Sequence, residues 1–295
     1  MDQLDDLRIY VATVNAQSFT AAAGRLGLSK QFVSRRVGTL EARLGVRLLL
    51  RTTRKLSVTD LGRDYYERAR LILEQVDDAD RAVSSQNLQP RGKLRISAPM
   101  SFGTLHLSPL LPLFLQRNPE VSVELDLSDR LVDVVGEGYD VAVRIALLAD
   151  SSLIARTVTP VQPYVCASPD YLRQRGTPLT PADIRGHDCL LYGHSPSVEW
   201  VFVDGSGKRI AIPVQGQLRA NNGELGRDAA IAGLGLTLLP DFIVGNALKD
   251  GRLVSVLDAW MPPPGAVYVV YPAHRQTSSA VRAFADFLVE TFQAK

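Results

Sequence analysis

Lys30, Gln31, Ser34 and Arg35 crowd the start of one amphipathic stretch, and theirs are side chains that read base edges in a DNA major groove. Gln offers the paired acceptor and donor that match adenine, and Arg the two-pronged donor that matches guanine. Ser29 stands beside them. A basic cluster follows at Arg51, Thr52 and Arg54, where hydroxyl and guanidinium groups suit phosphate or minor-groove contact. Arg36 and Arg43 fit either phosphate contact or a solvated face. Residues 20–58 hold nine basic side chains against one acid, Glu41, a local charge of +8 in a chain whose total is +2, which leaves −6 for the remainder. A basic block on an otherwise acidic chain is a footprint for a polyanion.

Such residues need a scaffold, and SFTAAAGRLGLSKQFVSRRVGTLEARLG (18–45) supplies one. Ser18 or Thr20 caps a short helix over 21–26, whose small residues admit a second helix closely. Gly27 turns the chain in a left-handed conformation, and Ser29 caps the next helix. Val33, Val37, Leu40 and Leu44 recur at helical spacing as its buried side, which turns Lys30, Gln31, Ser34 and Arg35 outward. Helix, tight turn and a helix with a polar leading end is helix-turn-helix geometry. VRLLLRTTRKLSVT then predicts a two-stranded hairpin with a basic tip, a wing. Over 59–86, Leu61, Tyr65, Ala69, Ile72, Val76, Ala79 and Val83 form the seam of a helix roughly 40 Å long that pairs with another helix.

NLQPRGK (87–93) reads as a hinge linker, broken by Pro90 and Gly92. Beyond it the pattern is α/β. Strands are expected at 94–97, 121–127, 140–145, 163–168, 188–192, 208–214, 236–240 and 266–271. Helices are expected near 104–117, 128–137 and 223–232, and a last one carries Val281, Phe284, Phe287, Leu288 and Phe292. This alternation implies doubly wound α/β units. Helix starts follow strands at 99–103 and at 221–224, where free N–H groups suit an anion at the carboxyl ends of the strands. Ser101, Phe102 and Asn222 therefore border a cleft for a small carboxylate or polar aromatic ligand, and His194 is a further candidate for its lining. Ser101 and Asn222 equally suit plain helix caps.

Other classes are disfavoured. At 46% hydrophobic and 22% charged residues the composition is that of a folded globular chain. No apolar run reaches the roughly 18 residues of a membrane-spanning helix. HExxH, P-loop, GxSxG and GxGxxG motifs are absent, and His187 with Cys189 lacks a second ligand pair at zinc spacing. No enzyme, cofactor or metal is expected. Residues 1–17 are acidic and amphipathic, unlike a signal or transit peptide, and Cys166 and Cys189 are the sole cysteines, so a cytoplasmic location is expected.

The run TAAAGRLGLSKQFVSRRVGTLEARLGVRLLLRTTRKLSVTDLG, followed by GKLRISAP, LVDVVGEGYDVAVRI, DSSL, CASPDYL and AGLGLTLLPDFIV, resembles the LysR-type transcriptional regulators over the full chain. The resemblance implies a winged helix-turn-helix DNA-binding domain (1–58), a linker and dimerisation helix (59–86) and a C-terminal effector-binding domain. That domain would have a periplasmic-binding-protein-like fold of two α/β subdomains, about 94–162 plus 268–295 and about 163–267. It implies a homodimer paired through the linker helix, assembled into a homotetramer on double-stranded DNA at a dyad-symmetric operator. A small-molecule effector in the cleft would modulate operator binding or DNA bending. By position it assigns Ser29, Lys30, Gln31, Ser34, Arg35, Arg51, Thr52 and Arg54 to DNA, and Ser101, Ser128 and Arg144 to the cleft. A ligand-independent architectural or repressor protein is the alternative, and its weakness is the large α/β domain that it leaves without a task. A cytoplasmic small-molecule-binding protein is the remoter one.

Overall fold

The computed structural model describes residues 2–51, 56–83, 89–146, 153–193, 195, 197–276 and 278–293. The chain divides into two compact units, 1–89 with 277–279, and 90–276 with 280–295.

The first unit contains α1 (Gln3–Ala16), α2 (Phe19–Leu26), α3 (Lys30–Leu44), β1 (Leu49–Arg51), β2 (Leu56–Val58) and α4 (Asp60–Val83). Ser18 Oγ accepts from the Ala21 amide at 3.3 Å, so α2 begins at Phe19, earlier than expected; Ser18 rather than Thr20 is its cap. Ser29 Oγ accepts from the Phe32 amide at 3.2 Å and starts α3. Gly27 (φ 65°) and Gly45 (φ 71°) end α2 and α3 in the left-handed region that glycine enters without a Cβ clash. Ile9 and Tyr10 of α1, Ala22 and Ala23 of α2, and Val33, Val37 and Leu40 of α3 meet Leu48 and Leu49 in one core. β1 and β2 pair antiparallel as the expected wing. Thr52 and Arg54 lie outside the described residues.

The seam of α4 is divided. Its first turns face α1: Tyr10 donates to the Gly62 carbonyl at 2.8 Å, Tyr66 donates to Asn15 Oδ1 at 2.6 Å, and Ala69 is buried. Leu61 and Ile72 stay exposed. Gly62 is required at this crossing, because a Cβ there would overlap the Leu48 carbonyl.

The second unit opens with β3 (Arg91–Ala98), α5 (Met100–Phe102), a π-helical turn (Gly103–Leu107), α6 (Leu111–Arg117), β4 (Glu120–Leu127), β5 (Val141–Ala146) and β6 (Leu153–Val161). It continues through β7 (Pro163–Ala167), α7 (Pro169–Arg175), β8 (Cys189–Tyr192), β9 (Val198–Val203), β10 (Arg209–Val214), β11 (Arg219–Ala220) and α8 (Gly223–Ile231). It closes with β12 (Leu236–Pro240), α9 (Asp241–Lys249), β13 (Val254–Val256), β14 (Gly265–Pro272) and α10 (Ser279–Gln293). Two five-stranded mixed sheets result, in the orders β4-β3-β5-β14-β6 and β11-β8-β12-β7-β13, with β9 and β10 as a separate hairpin. Leu94, Ile96, Val141, Val143 and Val267 of the first sheet pack with Phe114 of α6 and with Phe284 and Phe287 of α10. Val165, Leu191 and Leu236 of the second sheet pack with Trp200 and Phe202 of the hairpin.

Three expectations are corrected. The linker at 87–93 is shorter, because β3 already pairs with β4 from Arg91 opposite Glu120, with Gly92 (φ 107°) inside the strand. The single helix near 104–117 is broken into the π turn and α6; Pro109 between them lacks an amide hydrogen and crowds the preceding turn. No helix forms at 128–137. Asp133 Oδ1 accepts from the amides of Val135 (3.2 Å) and Gly136 (3.0 Å), while Glu137 accepts from the Asp133 amide (2.9 Å) and from both prongs of Arg130. These side-chain bonds outcompete helical ones. Arg130 and the Asp133 amide hold the Glu137 carboxyl down at about 2.

Candidate functional site

The leading end of α3 is an open polar face. Lys30, Gln31 and Arg35 are exposed and Ser34 is half-buried, while Val33 and Val37 on the opposite side are fully buried. The Arg35 guanidinium lies 5.7 Å from the centre of the Phe32 ring, which limits its excursions without occupying its donors. Ser29 is exposed while its hydroxyl caps the helix, and Arg51 ends β1. Arg36 is corrected. It forms an ion pair with Asp6 of α1 and is only 21% exposed, so it joins two helices rather than meeting phosphate. Arg43 lies beside the Tyr65 hydroxyl of α4.

Glu41 was not anticipated in any role, yet it positions the wing. Its Oε1 accepts from the amides of Leu48 (2.8 Å) and Leu49 (2.9 Å), tying the base of β1 to α3. Its sequence signal is its isolation as the one acid in the basic block. Glu41→Ala leaves both amides without this acceptor. Denaturant unfolding of the full chain is expected to show a loss of about 2–3 kcal/mol, with weaker DNA binding than that of a surface control.

In the second unit a cavity of about 310 Å³ opens at the carboxyl ends of β3, β4, β5 and β12, the usual ligand position of an open α/β sheet. Ser101, Phe102, Ser128 and Arg144 all line it, together with Asp129, Arg130 and Tyr192. Its apolar walls are Ile145, Leu238, Leu239, Pro240, Phe242 and Ile243. Asn222 is not among the lining residues; it caps α8, accepting from the Leu225 amide at 3.0 Å. His194 lies outside the described residues.

Side chains following the two sheets meet across this cleft. The Ser101 hydroxyl donates to the Glu224 carboxylate and accepts from the Gly223 amide at 3.2 Å. The Tyr192 hydroxyl donates to Asp129 Oδ2 at 2.7 Å, and burial together with that carboxylate pushes the phenol's pKa up. Three amides at these helix starts are answered from within the protein: Met100 N donates to Asp129 Oδ1 (3.1 Å), Gly223 N to Ser101 Oγ (3.2 Å) and Leu225 N to Asn222 Oδ1 (3.0 Å).

Arg144 also brings a positive charge to this wall. Its Nη1 donates to the Val143 carbonyl at 3.1 Å, whereas Nη2 is buried without a hydrogen-bond acceptor, and burial depresses the pKa of the guanidinium. Among the described residues no group of His, Cys, Asp and Glu is arranged to hold a metal ion.

Cys166 and Cys189 are buried and unbridged, and burial raises both thiols to about 12. Thiolate is the reactive form. Both cysteines are thus expected to resist a thiol-alkylating reagent in the native chain and to react once it is unfolded, as intact-mass measurement would show.

Two family descriptions match the chain: "LysR substrate binding domain" over residues 87–293, and "Bacterial regulatory helix-turn-helix protein, lysR family" over residues 4–63. An uncharacterised transcriptional regulator of the helix-turn-helix type from Haemophilus influenzae is 37% identical over 280 residues, 93% of this chain and 96% of its own. The transcriptional regulator PtxR of Pseudomonas aeruginosa is 37% identical over 289 residues, 97% and 92% of the two chains. The solved structure of CrgA, a LysR-type transcriptional regulator from Neisseria meningitidis, is similar at 32% identity and a TM-score of 0.62, covering 98% of each chain.

Proposed function

This chain belongs to the LysR family of transcriptional regulators, and on that premise we propose how its two units divide the task. The first unit grips a dyad-symmetric operator as a homodimer joined through α4, within a homotetramer. The exposed Leu61 and Ile72 on that helix support a partner there. α3 enters the major groove, with Lys30, Gln31, Ser34 and Arg35 on base edges; Ser29, Arg51, Thr52 and Arg54 hold the backbone or the minor groove. A small molecule in the cleft walled by Ser101, Phe102, Ser128 and Arg144 changes the balance between lobe arrangements, and through it DNA bending. A ligand shifts such an equilibrium only by binding its states unequally.

The observation that carries this reading is the outward polar end of α3 on a helix pair whose caps and core are complete. Fragments selected from genomic DNA provide the operator. Against it, Arg35→Ala is expected to lose about 1–3 kcal/mol and to relax preference at one base pair in each half-site, as competition binding would measure. An affinity and specificity equal to wild type would refute the assignment of α3. Footprints that stay the same with saturating ligand would refute the coupling to the cleft.

A further inference from the structure

We infer that the cleft takes a small monocarboxylic acid with an apolar body, its carboxylate set on Arg144 and its body against the Phe102, Ile145, Leu238 and Phe242 wall. The inference rests on reading the cleft as an effector site and adds the chemistry of the effector. It comes from asking which charges on the wall are already answered. Asp129 is answered twice, by the Met100 amide and the Tyr192 hydroxyl. Arg130 is held by both oxygens of Glu137. Ser101 donates to Glu224 and accepts from Gly223. Arg144 alone among the charged residues described on this wall keeps a buried donor, Nη2, with no acceptor.

A buried guanidinium N–H without an acceptor is unfavourable, and a carboxylate is the acceptor whose two oxygens best match it. Nη2 is covered, so bringing an acceptor to it takes a rotation of the guanidinium toward the cavity that Arg144 already lines. One free cation answers one negative charge. A second carboxylate on the ligand would meet Arg130 already paired, or the like charge of Asp129, so dianions are disfavoured. The rest of the wall is aliphatic and aromatic, and a volume of about 310 Å³ is at the small end of ligand sites. A body rich in hydroxyls would leave polar groups unpaired there.

The test uses the full chain with two readouts, the melting temperature and the emission of a Leu131→Trp variant. Leu131 lines the cavity and is 82% exposed, so the replacement reports on the cleft without disturbing a core. The probes are hexanoate and benzoate, their neutral amides, and the dianions adipate and terephthalate. The acids are expected to raise the melting temperature saturably and to shift the emission. Amides and dianions are expected to bind at least about tenfold more weakly. Arg144→Met should abolish the preference for acids while its unliganded melting temperature stays near wild type, and Arg144→Lys should restore part of it. Amides matching the acids on both readouts would overturn the inference and leave the cleft reading standing, as would an Arg144→Met protein that still prefers acids. Acids that raise the melting temperature without moving the emission bind elsewhere, which overturns the inference and leaves the cleft reading to its footprint test. No response to any probe overturns the inference alone, since the footprint test of the cleft reading is independent of these compounds.

Discussion

Asp140→Ala is expected to lower the stability of the second unit by about 3–5 kcal/mol, on the order of 10 °C in Tm, in a thermal or denaturant melt. Asp140 is 2% exposed and Arg275 is 5% exposed, and their side chains meet at 2.7 Å. The other Asp140 oxygen accepts from the Arg95 amide at 2.8 Å, and the Asp140 amide donates back to the Arg95 carbonyl at 2.9 Å. One carboxylate thus joins the start of β5, the middle of β3 and the turn after β14, three segments distant in sequence. Removing it takes the carboxylate from beside a buried cation, and the desolvation cost of that cation is then less well offset in the folded state. Arg275→Met should cost a similar amount by removing the cation that faces the buried carboxylate. The double variant should cost clearly less than the two singles added together, because neither charge then remains. Additive losses would mean that the two side chains act separately, and would sink the argument.

How much of this was legible depends on how local each cause is. The head was readable because its signals lie within a few residues of what they decide: Ser18 and Ser29 cap helices three residues on, Gly27 and Gly45 end them, and Val33, Val37 and Leu40 mark one face. β4 was readable for the same reason, its alternation facing Val121 inward and Glu124 outward. The misread helix at 128–137 has Leu131, Val132, Val134 and Val135 at spacings a helix would use. What decides the segment is the competition of the Asp133 and Glu137 carboxylates for backbone amides, which hydrophobic spacing does not record. β6 is absent from the expected strands because little of it is periodic, and it is held by pairing with β14, more than a hundred residues away.

The cleft divides along the same line. Ser101, Phe102, Ser128 and Arg144 fall at strand ends, so topology alone brings them to one cavity. The bonds of Ser101 to Glu224 and of Tyr192 to Asp129 join residues far apart in sequence, and nothing near either partner announces them. Asn222 serves as the cap of α8, accepting from the Leu225 amide, while the Gly223 amide beside it donates to Ser101. Beside these answered groups the cleft wall holds the guanidinium of Arg144, placed there by the end of β5.

Phe102→Ala carries the second large effect, and it should act on stability and on ligand choice together. The ring is 1% exposed and stacks on His106 (5.1 Å between centroids) and Phe292 (5.7 Å), with the edge of Phe242 at 5.5 Å. It stands between two cavities, the cleft of about 310 Å³ and a second of about 490 Å³ lined by His106, Tyr164, Leu248 and Phe292. Truncation removes the transfer energy of the ring and leaves a void that these rigid neighbours cannot close, a loss of about 3–5 kcal/mol in a denaturant melt. Phe102→Leu keeps most of the volume and should lose less than about 1.5 kcal/mol. The same truncation merges the two cavities, so the alanine variant should accept larger apolar acids than the native chain does and bind small ones less tightly. A Phe102→Ala protein that melts like wild type would show that the ring does not separate the cavities. An unstable variant with unchanged ligand preference would show that the ring packs the core without shaping the cleft.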